Sequence, residues 1–168
     1  MSQTVCQAAV DLIKKAEGCF LTAYYCPAHV PTIGYGHTHG VTPADVGQKT
    51  ITQADADLLL TQDLAMVADQ VVQHVTVGLS DDQFGALVSF TFNLGIGHFA
   101  ASTLLKKLNA GDYCGAANQF DVWVMATVNG VKQSLPGLVK RRAAEKNLFL
   151  QGTEVDDAMP QDVGCAGE

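Results

Sequence analysis

The chain has 168 residues, 48% of them hydrophobic and 16% charged, with a formal charge of −7. That length suits one ordinary domain, or a larger lobe with a small subdomain, that buries a core without staples, and the composition excludes wholesale disorder. The negative balance excludes a general nucleic-acid binder, which needs a basic surface to displace counterions from phosphates. No apolar run approaches the ~20 residues that span a bilayer, and the N-terminus lacks a basic stretch followed by an unbroken apolar one, so no signal peptide or stable membrane anchor is expected. The charge is unevenly placed. Residues 152–168 hold five acidic residues and no Lys or Arg, whereas residues 1–151 hold twelve acidic and ten basic residues, a balance of −2. The acidic stretch 152–168 has little to bury and reads as a mobile tail. The five cysteines, Cys6, Cys19, Cys26, Cys114 and Cys165, are odd in number and form no framework. A disulfide scaffold is therefore not expected, and synthesis in a reducing compartment is the simpler reading.

In chain order, Val5, Ala8, Ala9, Leu12, Ile13 and Ala16 recur at three- and four-residue spacing and predict a helix over about 4–16, closed at Glu17-Gly18. From 18 to 40 the prolines, glycines, aromatics and β-branched residues predict short strands and turns. Thr52 to Asp55 reads as a capped start of a long helix striped by Leu60, Leu64, Val67, Val71 and Val75. Ser80-Asp81-Asp82-Gln83 caps another, apolar on nearly every face and hence central, ended by Gly95. Two shorter helices are expected at about 98–110 and 112–125, then a loop around Asn129-Gly130. A turn at Leu135-Pro136-Gly137 leads to a last helix over about 138–150.

Glu17 and Glu145 are the only glutamates in residues 1–151. Glu145 follows Arg141 by four residues, the spacing of a surface ion pair on a helix. Glu17 ends a helix, where the dipole disfavours a charged carboxylate, a property useful in a general acid. Thr32-Ile33-Gly34-Tyr35-Gly36-His37 suits a hairpin that lets something approach its backbone. Cys26, His29, His37 and His39 leave a metal site open as an alternative, although their spacing matches no common zinc module.

Read together, Glu17, eight residues, Cys26, five residues and Thr32, followed by Ile-Gly-Tyr-Gly-His, resembles the motif of the phage-type lysozymes, the glycoside hydrolases to which many phage endolysins belong. Ser89 to Gly95, Ser102 to Asn109 with Gly111-Asp112-Tyr113, Leu135 to Leu138 and Arg141 to Glu145 extend the resemblance over about residues 8–151. It implies an α+β, mostly α, lysozyme-like fold: a single catalytic domain over 1–151. A small β-element at about 18–40 would face a helical lobe at about 52–151, with a cleft between them. It further implies a muramidase that cleaves the β-1,4 bond between N-acetylmuramic acid and N-acetylglucosamine, with no cofactor and no metal.

Under this resemblance Glu17 is the general acid, Thr32 positions the attacking water, and Cys26 stands where aspartate is commoner. A thiol at its free pKa of ~8.5 is mostly neutral at pH 7, so Cys26 serves as a base only if its surroundings lower that value. A water-mediated route inverts and covalent attack by a Cys26 thiolate retains; the aspartate-containing relatives favour inversion. Tyr35 and His37 from the hairpin, and Phe92 and Asn93 from the central helix, are the candidates for substrate binding; His37 could instead be a structural partner within the β-element. The basic groups Lys106 and Lys107, and Lys140, Arg141 and Arg142, would face an anionic glycan or form a solvated helix face. The partner implied is bacterial peptidoglycan. The protein is expected to be a monomer that collects in the host cytoplasm and needs a separate membrane-permeabilising protein to reach the wall. The alternatives are a lysozyme-like glycan-binding protein without catalysis, and a bacterial wall-degrading toxin delivered by another route.

Overall fold

The computed structural model describes residues 3–155, with side chains described through Gln151. Its elements run α1 (Gln7–Glu17), β1 (Phe20–Tyr25), β2 (Pro31–Gly34), α2 (Gln53–His74), α3 (Asp81–Leu94), α4 (Ile96–Ala101), α5 (Thr103–Asn109), α6 (Tyr113–Gln119), β3 (Met125–Val128), β4 (Val131–Ser134) and α7 (Pro136–Val155). The fold is α+β and mostly helical, with two separate antiparallel hairpins, β1-β2 and β3-β4. Among the described residues no helix is long and apolar enough to cross a membrane.

The chain divides into two compact units. One is Ile13–Met66. It holds the end of α1, the first hairpin and the first half of α2. Ile13, Ala23, Ile33, Ala56, Leu60 and Leu64 form its core. The segment after β2 returns along β1: the Ala23 amide donates to the Lys49 carbonyl at 2.9 Å and the Ile51 amide to that of Leu21 at 2.8 Å. The other unit takes the chain up to Leu12 and from Val67 onward. The division thus falls within α1 and within α2, where the apolar stripe continues, and not at the composition change near residue 40.

In the second unit α3 is buried from Gln83 to Thr91 and packs chiefly against α7. Ser80 caps it by accepting from the Gln83 amide, as the sequence predicts, and Gly95, at φ +88, ends it. Phe90 lies at the centre, with the rings of Phe120 and Trp123 edge-on at 5.5 and 5.7 Å. Gly85 lets α3 approach the start of α1: a Cβ there would come within 2.7 Å of Ala9 Cβ and 2.8 Å of Cys6 Sγ.

Several expectations are corrected. The loop expected around Asn129-Gly130 is the turn of β3-β4, with Val128 opposite Val131; its strands are largely exposed and so lack the apolar alternation that marks a strand. The region 98–125 holds three short helices and a 3-10 turn in place of two helices. The last helix runs on to Val155, past the expected tail boundary, and the remainder of the acidic tail lies outside the described residues. Cys6, Cys19 and Cys26 are free thiols, but Cys114 is disulfide-bonded.

Candidate active site

Glu17 is the last residue of α1, and Gly18 follows at φ +70, turning the chain directly into β1. Lys14, one turn earlier, is held by Asp57 at 3.2 Å. After β1 a five-residue turn runs from Cys26 to Val30. It is closed by the Cys26 amide donating to the Val30 carbonyl at 3.0 Å and by the His29 amide donating to the Cys26 carbonyl at 2.8 Å. His29 takes a left-handed φ of +62 and stacks on Tyr25 with ring centroids 4.3 Å apart.

The turn wraps the Cys26 sulfur. Burial pushes the thiol up, but hydrogen bonds from the backbone N–H groups of Val30, Ala28 and Cys26 itself, and from the Thr32 hydroxyl, outweigh it and hold Cys26 below its ordinary value. Thr32 is 2% exposed, and its single hydroxyl proton is shared between two acceptors, the Cys26 sulfur and the Val30 carbonyl, the latter at 2.8 Å. The lowering comes chiefly from backbone donors, with no cation among the causes. Tyr24 adds the link to Glu17. Burial raises its phenol first, and the negative charges of Cys26 and Glu17 raise it further. The phenol therefore stands within electrostatic reach of both.

The other candidates are placed differently. Tyr35 is 8% exposed. Its hydroxyl accepts from Gln53 Nε2 at 3.0 Å, Gln53 also donates to Asp57 at 3.1 Å, and Lys14 lies 5.5 Å over the Tyr35 ring. His37 Nδ1 pairs with Asp63 Oδ2 at 2.7 Å, tying the end of the hairpin to α2. Phe92 and Asn93 are half-buried in the last turn of α3 and belong to the other unit. Among the described residues no three His, Cys, Asp or Glu side chains are placed to hold a metal ion; His29 faces Tyr25 and His37 faces Asp63. A pocket of about 250 Å³ is lined by His37, His39, Lys49 and Asp55 but not by Glu17, Cys26 or Thr32.

Glu145 and the basic pair beside it overturn their sequence reading. Glu145 and Arg142 are fully buried and Arg141 nearly so, which makes neither a surface ion pair nor a glycan-facing patch. Glu145 Oε1 pairs with Arg142 and Oε2 with Arg141 at 3.4 Å, while the Ser89 hydroxyl donates to Oε2 at 2.5 Å. Arg142 also donates to Asn93 Oδ1 and to the Trp123 carbonyl. Sequence reasoning missed Tyr24 and placed the buried Arg142 on a surface. Tyr24 was findable, since it stands two residues before Cys26 on a strand.

Residues 14–145 match the family model described as Phage lysozyme. The chain belongs to the phage lysozyme family. An endolysin of Acyrthosiphon pisum secondary endosymbiont phage 1 is 46% identical over 86% of this chain and 97% of its own length. An endolysin of Bacillus phage B103 is 42% identical over 88% of this chain, which spans 54% of that longer protein. The muramidase domain of SpmX from Asticaccaulis excentricus matches with a TM-score of 0.80 at 40% identity, over 88% of this chain and 98% of that one. This phage-type lysozyme is thus a glycoside hydrolase, and matches to endolysins across nearly the whole chain favour the enzyme over a catalytically silent glycan-binding module.

Proposed function

We propose that this lysozyme is a peptidoglycan muramidase that cleaves the β-1,4 bond between N-acetylmuramic acid and N-acetylglucosamine. Glu17 gives its proton to the leaving glycosidic oxygen. Cys26, as a thiolate, removes a proton from the attacking water, and Thr32 helps place that water. Water attack from the opposite side of the sugar inverts the anomeric centre. The observation that carries this reading is the Cys26 thiol held below its ordinary value by the turn and by Thr32, with Tyr24 sensing it and Glu17 together. Phe92 and Asn93 are proposed as glycan contacts of their own unit, the Asn93 carbonyl being held by Arg142. Tyr35 and His37 support the hairpin through their Gln53 and Asp63 partners.

The enzyme works as a monomer. It collects in the host cytoplasm and reaches the wall when a separate protein permeabilises the membrane. The deciding experiment compares wild type with Glu17→Gln on outer-membrane-stripped cells, following turbidity and reducing ends. Clearing with new reducing ends, lost on substitution, is expected. Retention of more than about a tenth of the wild-type rate, a change of only ~1.4 kcal/mol in barrier, overturns Glu17 as general acid. Proton NMR of the first product gives the anomer, and a β-product overturns inversion.

A further inference from the structure

The hairpin face that carries Thr32 carries a second hydroxyl. In the β1-β2 register Tyr24 stands directly opposite Thr32. Directly opposed residues on antiparallel strands project to the same face. The Tyr24 ring is held in place: Phe20 lies against it with centroids 4.4 Å apart. Phe20 in turn reaches back to Gly18, where a Cβ would lie 3.5 Å from Phe20 Cε2, next to Glu17 in the chain. The phenol ring thus sits beside Phe20, which lies near the helix end that bears Glu17, and opposite Thr32 in the paired strand.

We propose that the Tyr24 hydroxyl is a further catalytic residue, donating a hydrogen bond to the glycan at the sugar–sugar bond held between Glu17 and Cys26. This rests on the reading of Glu17 and Cys26 as the reacting pair. Among the described residues the Tyr24 hydroxyl has no hydrogen-bond partner of its own, so the donor is free for a ligand. Burial and the two neighbouring negative charges keep the phenol protonated, so it remains a donor wherever the enzyme works. A phenol clamped through its ring loses little side-chain freedom when it binds, which is what a donor aimed at a transition state needs.

The test is Tyr24→Phe, which keeps the ring and its Phe20 contact and removes only the oxygen. Steady-state release of reducing ends from soluble glycan strands is measured beside wild type, Phe20→Leu and Glu17→Gln, with melting temperatures for all four. The expected result is a fall of about tenfold in kcat, with KM and melting temperature unchanged, the size of one well-placed neutral hydrogen bond. Phe20→Leu, which loosens the clamp but keeps the hydroxyl, is expected to lose less. Wild-type kcat in Tyr24→Phe overturns the proposal. So does a Phe20→Leu loss as large as that of Tyr24→Phe, because packing would then account for the effect. A Glu17→Gln protein that stays active overturns the underlying reading and this proposal with it. An inactive Glu17→Gln beside an unaffected Tyr24→Phe overturns the Tyr24 role alone.

Discussion

The peptide groups around Cys26 favour its charged form over its neutral one. Folding lowers its pKa, so the thiolate, and the stability it lends, is present above the unfolded value and is lost as pH falls through the lowered one. The acid limb of kcat/KM is therefore expected to follow that titration. Cys26→Asp should move the limb down toward ~4, the ordinary carboxylate range. Profiles of the two proteins check this, and coincident acid limbs would show that Cys26 is not the titrating base. Glu145 offers a second residue-scale test. Glu145→Gln removes the counter-charge of two buried guanidiniums and should cost about 3–5 kcal/mol. Urea denaturation measures the loss, and a value below ~1 kcal/mol would mean that the arginines are charge-balanced in another way. The two sites differed in how well the sequence showed them. Glu17, Cys26 and Thr32 lie within sixteen residues, so spacing alone exposes them. The Arg141–Glu145 spacing is the same on a solvated face as in a core, and the partners that settle the matter, Ser89 and Asn93, come from another helix.

Helices with capping chemistry were legible in the sequence, and exposed strands were not. Ser80 and Gln83 announced α3 because a cap is a local hydrogen-bond pattern. The second hairpin went unread because only its Asn129-Gly130 turn carries a signal, and both residues there adopt positive φ. The close approach of α3 to α1 is likewise invisible in a linear pattern, where Gly85 reads as a mere weakness in a helix. Gly85→Ala gains up to ~1 kcal/mol in helix propensity, yet the new methyl meets Ala9 and Cys6 at distances that real Cβ atoms do not show. A net loss of about 1–3 kcal/mol is expected. Pairing it with Cys6→Ala, which deletes one of the two obstacles, should recover part of that loss. Thermal melts of the single and double variants decide. A Gly85→Ala protein at least as stable as wild type would show that the helices part freely.

Over the whole molecule the charge of −7 opposes an anionic wall polymer. Repulsion of this kind slows encounter and is screened as the Debye length shrinks to ~10 Å at 0.1 M salt. We therefore expect kcat/KM on intact wall fragments to rise between ~0.01 and ~0.1 M salt, with kcat little changed. Stopped-flow turbidity at several salt concentrations tests it, and a monotonic fall would mean that a local basic surface steers binding in spite of the net charge. The family and the α+β class were legible at this scale because ordered motifs recur along the chain. The division into two units was not, because it falls inside α1 and α2, where the periodicity of the sequence is unbroken.

The turn around the Cys26 sulfur sets how this stretch of sequence is free to drift. The groups that hold the thiolate at 28 and 30 are main-chain N–H groups, which nineteen of the twenty residue types supply equally. Ala28 and Val30 can exchange their side chains without disturbing the sulfur, and proline is the one replacement that silences a donor. Position 29 is narrowed for a different reason: its left-handed backbone admits Gly, Asn or Asp most readily. Variation across this turn should therefore look permissive in chemistry and strict in backbone.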